Sequence, residues 1–311
     1  AKLCFDEGIS AGAQAAAAQF RLADFELAWL EPWLPDDVKW QGPASGAGSL
    51  DWSAADGLRV AADVESRDGL LAMTLRDDFD DMDPVVRDLH YQHLALSAEL
   101  TPERTELALD FASEEAGRAR ARLSGDLLQA DAPIDGTLQV DALRIGFFRP
   151  FLPDLNHLEG WLNAQVEIAG QRAAPLVEGT VSLRDGEVGH PVTPTVLEGV
   201  AVEFGLRGRE AEIGGGFKIG DRPGQLSGSA QWSADDWQLD LELDAERLPV
   251  EAPPYADLLI TPALALHVSP HTIRVSGRVG LPEGAITVRE LPQSAVGHSR
   301  AVGVVRRPEE E

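Results

Sequence analysis

Apolar and polar side chains alternate along most of this chain. Leu94, Leu96, Ala98 and Leu100 are separated by polar or small residues, and so are Leu107, Leu109 and Phe111. The same spacing recurs in Leu162, Ala164, Val166 and Ile168, and in Val200, Val202, Phe204 and Leu206. Leu239, Leu241 and Leu243 alternate with Asp240, Glu242 and Asp244. Leu264, Leu266 and Val268 follow, then Ile273, Val275 and Val279. A period of two puts each apolar set on one face of a strand. Turn-forming residues fall between the sets: Ser113 to Gly117, Asp135-Gly136, Asp185-Gly186, Arg207-Gly208, Asp221 to Gly224 and Ala234 to Asp236. The pattern predicts short strands of about six residues, one about every 10 to 14 positions, joined as hairpins and meanders rather than by helical crossovers. Ala13 to Ala18 has helix propensity but no useful apolar stripe. Ser113 to Arg122 is rich in Ala, Glu and Arg, yet alternation on both sides of Glu114 to Gly117 predicts a hairpin there.

An internal repeat organises the chain. Trp29-Leu30-Glu31-Pro32-Trp33-Leu34-Pro35-Asp36 matches Phe147-Phe148-Arg149-Pro150-Phe151-Leu152-Pro153-Asp154 at an offset of 118 (147 − 29 = 118). Phe20, Leu22, Phe25 and Leu27 fall on Leu138, Val140, Leu143 and Ile145 in the same register, and Gln41-Gly42 on Glu159-Gly160. The unit is therefore several strands plus a Pro-bounded aromatic turn, stacked end to end. The expected role of the aromatic segments is a short helical plug burying Trp29, Trp33, Phe147 and Phe151. A gate or contact point for an apolar ligand is the alternative.

Charge and composition narrow the function. With 52 acids against 26 bases the formal charge is −26, which opposes binding to nucleic-acid phosphates and recruitment to anionic headgroups by a basic patch. Cys4 is the only cysteine, so neither an intrachain disulfide nor a cysteine zinc site is possible. No stretch of 18 apolar residues occurs, and no signal peptide is visible. The chain opens as mid-domain sequence and reads as a fragment of something longer, with any membrane contact made by parts outside it. Phosphate-loop and nucleophile-elbow motifs are absent, and no catalytic residue is assigned. Gly214-Gly215-Gly216 lies between strand patterns and predicts a bulge or tight bend. His90 and His93 stand near Asp77, Asp78, Asp80, Asp81 and Asp83, but the run lacks the Gly and distal Glu of a calcium loop, so a solvated loop without metal is expected. His267 and His271 flank a turn at Ser269-Pro270 and read as surface residues. No cofactor is expected.

The second half carries a recognisable pattern: Glu159-Gly160-Trp161-Leu162-Asn163, then Pro175 through Val188 with its Asp185-Gly186 pair, then Leu226 to Trp232. The Pro253-Pro254-Tyr255-Ala256-Asp257 segment, Ile273 to Val279, and Leu281 to Pro292 complete it. Together these resemble the C-terminal part of the TamB family, within the wider AsmA-like bridge proteins; the first half resembles the preceding repeats of that family. The resemblance implies an all-β fold: a long, curled, mainly antiparallel sheet forming an open taco-like groove with an apolar interior, and short helical turns at repeat boundaries. It implies one continuous groove built from repeats at 1–136 and 137–311. It also implies a non-enzymatic protein of the Gram-negative periplasm, anchored in the inner membrane. Such a protein carries phospholipid acyl chains between membranes and supports outer-membrane assembly or secretion with a TamA-like outer-membrane barrel. The end that engages the barrel is expected beyond this chain.

Alternation fixes opposite faces, and the resemblance makes the apolar one concave. Leu162, Val166, Val202, Phe204, Leu241, Leu266 and Val275 are thus expected to line the groove, with Glu167, Glu203, Glu242 and Asp244 outside. Some 20 strands at ~4.8 Å spacing would extend about 95 Å. Each buried CH2 contributes ~0.8 kcal/mol, so a chain of about 14 carbons gains on the order of 10 kcal/mol before ordering costs. Two other uses of such a sheet remain open: a scaffold that pairs with nascent outer-membrane strands through its edge, and a closed structural spacer filled by its own side chains.

Overall fold

The computed structural model describes residues 2–12, 14–75, 85–127, 129–152, 154–190, 193–252 and 256–286. Among the described residues eighteen strands form one sheet. The series begins with β1 (Lys2–Ala11), β2 (Ala15–Glu26), β3 (Val38–Gln41), β4 (Pro43–Ser53), β5 (Gly57–Leu75) and β6 (Val85–Leu100). It continues through β7 (Thr105–Ser113), β8 (Gly117–Gly125) and β9 (Ile134–Arg144). Then come β10 (His157–Gln171), β11 (Ala174–His190), β12 (Thr193–Gly208), β13 (Glu210–Ile219) and β14 (Arg222–Trp232). The last four are β15 (Trp237–Ala245), β16 (Leu248–Ala252), β17 (Ala256–Ser269) and β18 (Thr272–Ile286). Two 3₁₀ helices, η1 (Leu27–Trp33) and η2 (Ile145–Phe151), interrupt the series.

Every ladder is antiparallel, and each joins strands close in sequence. β3 and β4 are two parts of one line broken at Gly42, and both pair with β5. β15 and β16 likewise share β17. The hairpin expected at Ser113 forms. The Ser113 hydroxyl accepts from the N–H groups of Glu115 and Ala116 and donates to the His90 carbonyl, which locks the turn to β6. Ala15 onward is strand rather than helix, since the alanines pair on both sides, with β1 and with β4.

The strands are much longer than the six residues expected: β5 has 19, β11 has 17, and β6 and β12 have 16 each. Two presumed turns also prove to be strand. Asp135-Gly136 and Asp185-Gly186 both lie inside strands. Asp-Gly signals a backbone ready for positive φ, and a bulge satisfies that as well as a turn does. Asp185 has φ 49°, and the ladder to β12 shifts register beside it. By contrast, Gly214 to Gly216 form no bulge; they pair one to one with β12 and β14.

Asp24, Asp68, Ala142 and Asp185 all take left-handed φ near +50°. Each adds one residue to its strand, so the apolar face changes sequence parity. It runs Phe20, Leu22 and then Phe25; Leu138, Val140 and then Leu143; Leu183 and then Gly186. The four form a crease across the sheet. Asp24 and Ala142 are 118 apart (142 − 24), Asp68 and Asp185 are 117 apart (185 − 68), and the repeat is visible in pairing too. Phe25↔Ala44 and Glu26↔Pro43 in one half match Leu143↔Leu162 and Arg144↔Trp161 in the other. At the crease two backbones touch. A Cβ on Gly42 would stand 2.9 Å from the Gly69 Cα, and one on Gly160 3.0 Å from the Gly186 Cα.

Beyond the crease β7 and β8 stop, which opens a gap between Val85–Tyr91 of β6 and the start of β10. The segment η2 occupies it. Phe147 is buried with Val38, Met73, Leu89 and Ala116. Arg87 Nη1 reaches Glu159 Oε1 at 2.6 Å across the gap, and Arg144 Nε reaches Glu159 Oε2 at 3.2 Å. The Arg144 guanidinium also lies over the Phe147 and Trp161 rings, at 5.7 and 5.9 Å. The four aromatics expected to plug the repeats therefore divide. Phe147 is 8% exposed, Phe151 48%, Trp29 68% and Trp33 79%. Among the described residues a seat exists for Phe147 of η2, whereas η1 buries Leu27 and leaves Trp29 and Trp33 exposed.

Candidate functional site: an apolar trough

Directly paired residues in an antiparallel sheet project to the same face, so the ladders can be followed from strand to strand. One row starts at Phe25 and Ala44 and runs through Ser66, Leu94, Phe111 and Ala119 to Val140. It continues from Val140 through Ala164, Val181, Phe204 and Ile213 to Gly228. Leu241, Leu266 and Val275 complete it. A neighbouring row passes Leu22, Gly46, Val64, Leu96, Leu109 and Ala121. It then joins Leu138 to Val166, Gly179, Leu206 and Ala211. A third links Leu162, Leu183, Val202, Gly215, Leu226 and Leu243. At ~4.8 Å per strand, the first row is about 65 to 70 Å long.

Ser66 is the one polar side chain in that first row, and it is fully engaged. Its hydroxyl donates to the Pro43 carbonyl at 2.9 Å, so the Tyr91 hydroxyl, 2.8 Å away, donates to it. Tyr91 in turn accepts from Trp40 Nε1 at 2.9 Å. The apolar face thus carries no unsatisfied hydroxyl at that strand.

These rows unite the expected lining residues. Leu162 and Val166 pack in the core cluster of Ala119, Val140 and Ala164. Val202, Phe204, Leu241 and Leu266 are half-buried on the same face, while Val275, on the last strand, is 65% exposed. Glu167, Glu203, Glu242 and Asp244 are exposed on the other face. Over β5 to β9 the apolar face forms a cavity of about 460 Å³, lined by Leu71, Leu94, Phe111, Val140, Leu143 and Phe147 among others. It adjoins a second of about 470 Å³ lined by Val64, Leu96, Ala98, Leu107 and Leu123, with Leu109 common to both. A hollow of about 710 Å³ on the opposite face is lined by Asp63, Glu99, Glu106, Arg122 and Glu167, which suits water and ions rather than hydrocarbon.

Sequence reasoning missed the hydroxyl relay and the Arg87–Glu159–Arg144 bridge, because their partners are 15 to 72 residues apart. One signal for the crease was available: the apolar positions step from 22 to 25 and from 140 to 143. Asp77 to Asp83 lie outside the described residues. His93 Nδ1 is 3.4 Å from Glu65, and among the described residues no three His, Cys, Asp or Glu side chains are placed to hold a metal ion. His267 Nδ1 meets Asp240 at 2.7 Å on the polar face.

The trough's sequence also matches known families. The family model for the TamB N-terminal domain matches residues 1–183, and that for the TamB C-terminal domain matches residues 217–311. This chain belongs to the TamB family. No solved structure matches it. The interval between the two TamB matches, 184–216, falls within β11, β12 and β13, which the ladders join without interruption. Both TamB regions therefore share one open sheet, and the apolar rows cross from one to the other. As a TamB-family chain it is a TamB-like protein of the cell envelope. No described helix is long and apolar enough to cross a membrane.

Proposed function

We propose that the trough carries phospholipid acyl chains along the sheet, between inner and outer membranes, as the periplasmic part of an inner-membrane-anchored protein that supports outer-membrane assembly with a TamA-like barrel. The reading assigns no catalysis and treats 1–136 and 137–311 as two repeats of one groove. The observation that carries it is the continuity of the apolar rows. They run perpendicular to the strands, the direction along which a chain would move, and only the hydrogen-bonded Ser66 interrupts the first. Hydrocarbon can advance one strand at a time without meeting an uncompensated polar group, and a headgroup can stay at the solvated mouth.

The test is photo-crosslinking in cells from paired positions on one strand, Leu241 against Glu242 and Val202 against Glu203, with envelope integrity scored in parallel. Lipid should be captured from Leu241 and Val202 and not from their neighbours. Leu241→Arg should abolish function while Glu242→Lys preserves it, because an unpaired charge beside hydrocarbon costs several kcal/mol. Equal capture from both faces, or a folded, abundant and active Leu241→Arg protein, would sink the conduit reading and favour strand pairing at an edge.

A further inference from the structure

We propose that the cavity beneath η2 is a discrete site for one phospholipid acyl chain, entered from the side through the seam between η2 and Val85–Tyr91 of β6. The proposal rests on the reading of the trough as a path for acyl chains and adds where a chain enters it.

The seam is a break in the sheet. β6 pairs with β5 down to Val85, but with β7 only from His93 onward. β10 pairs with β11 from His157, but with β9 only from Trp161 onward. No ladder joins the two unpaired stretches, and η2 fills the interval with side chains. It is fixed to β10, where a Cβ on Gly146 would stand 2.8 Å from Glu159 Oε2 and 3.0 Å from the Leu158 carbonyl oxygen. Toward β6 it inserts Phe147, buried with Met73 and Leu89, and the Arg87–Glu159 ion pair at 2.6 Å spans the same interval. Side chains can part and return here without breaking a ladder, and segments outside the ladders open at the lowest cost in a fold. A helical turn is not the only way to close such a corner. Where β16 meets β12, the closing element is a strand laddered to β17, and its Leu248 is 3% exposed.

Behind the seam lies the apolar cavity of about 460 Å³, within the range of ~300 to 1,000 Å³ usual for small-molecule sites. Leu89 and Tyr91 line it from the β6 side, and Phe147, Phe148 and Phe151 from the η2 side. Phe148 and Phe151 are each 48% exposed, so both touch the cavity and solvent at once and form an aromatic lip. Leu109 is shared with the adjoining apolar cavity, so a chain that has entered can continue along the rows.

Charge marks the same place for the headgroup. Arg87 and Arg144 hold a single carboxylate, Glu159, which leaves one net positive charge at the seam of a chain whose formal charge is −26. Arg144 is the one charged residue lining the cavity. A guanidinium accepts phosphate oxygens in the fork geometry it offers a carboxylate. The phosphate of an arriving phospholipid can therefore take the place of Glu159 on Arg87, which loosens the seam as the chain reaches it.

The experiment incubates purified native-length protein with vesicles of phosphatidylethanolamine carrying a diazirine in one acyl chain, and maps labelled peptides by mass spectrometry over time. Arg87→Cys and Glu159→Cys, in an otherwise cysteine-free background with Cys4→Ser, are joined by a short bifunctional thiol reagent that a reductant cleaves. Tethering should slow labelling of the peptides holding Leu94, Leu109 and Phe111 at least about tenfold, and reductant should restore the rate. Glu159→Gln, which frees both arginines without a tether, should speed it about threefold. An unchanged rate in the tethered protein would overturn the side entrance and leave the trough reading intact, as would a loss that reductant does not reverse. Labelling at Leu241 but not at Leu94, Leu109 or Phe111 in the untethered protein would overturn the cavity as a site. No labelling anywhere on the apolar face would sink the trough reading and this proposal with it.

Discussion

Replacing Phe147 by Ala in the 1–311 chain should be far more damaging than replacing Trp29, although the two occupy matching places in the repeat. Phe147 is 8% exposed and is enclosed by side chains from β3, β5, β6 and the β7–β8 turn. Four separate elements cannot collapse into the vacated space together, so the full range for a buried Phe→Ala change applies, about 3 to 5 kcal/mol. Arg144 loses one ring but keeps Trp161 and Glu159, so its contribution changes little. Trp29→Ala removes a side chain that is 68% exposed and should cost less than about 1 kcal/mol. An open sheet in which each strand touches its neighbours unfolds locally, so the loss should concentrate around the seat. Native-state hydrogen exchange is the assay. Amides of β3, Leu70–Leu75 and Val85–Tyr91 should lose about 10²- to several 10³-fold in protection in Phe147→Ala, while β13 to β15 stay unchanged. A loss under tenfold at these amides, or an equal loss from Trp29→Ala, would refute the seat as the source of order at this junction.

Tyr91→Phe breaks the relay at its centre and leaves Trp40 Nε1 without its acceptor; denaturant titration should show a loss of about 1 to 3 kcal/mol without loss of strand signal in circular dichroism. Asp185 sits at φ 49°, so Asp185→Gly should be neutral or slightly stabilising, whereas Asp185→Val should cost about 1 to 2 kcal/mol, read as melting-temperature shifts of opposite or unequal size. Gly46→Leu would place a Cβ 2.3 Å from the Asp63 carbonyl oxygen, so it should disrupt the β4–β5 pairing, seen as accelerated exchange of Asp63 and its neighbours. Glu242→Lys, on the exposed polar face, should shift the melting temperature by less than about 1 °C, while Leu241→Arg should lower it by several degrees.

Much of this protein is legible in its sequence because a strand writes its two faces into alternate positions. The alternation at Leu162 to Ile168 or Leu239 to Leu243 identifies both the β structure and the apolar and polar faces of each strand, and ladder pairing then aligns these residues with their neighbours. The 118-residue offset is equally local information, carried by the aromatic-Pro segments, and it survives into the register of β2–β4 and β9–β10. The lengths of the strands were not legible. Asp185-Gly186 has the same local preference for positive φ in a turn as in a bulge, and pairing with β10 and β12 on either side decides between them. Burial of the aromatic segments was not legible either. Trp29 and Phe147 occupy matching positions in similar aromatic-Pro segments, and their opposite exposures come from whether four distant residues stand across the gap. Hydrophobicity states what a side chain gains by burial; only the arrival of another part of the sheet determines whether there is a place to be buried.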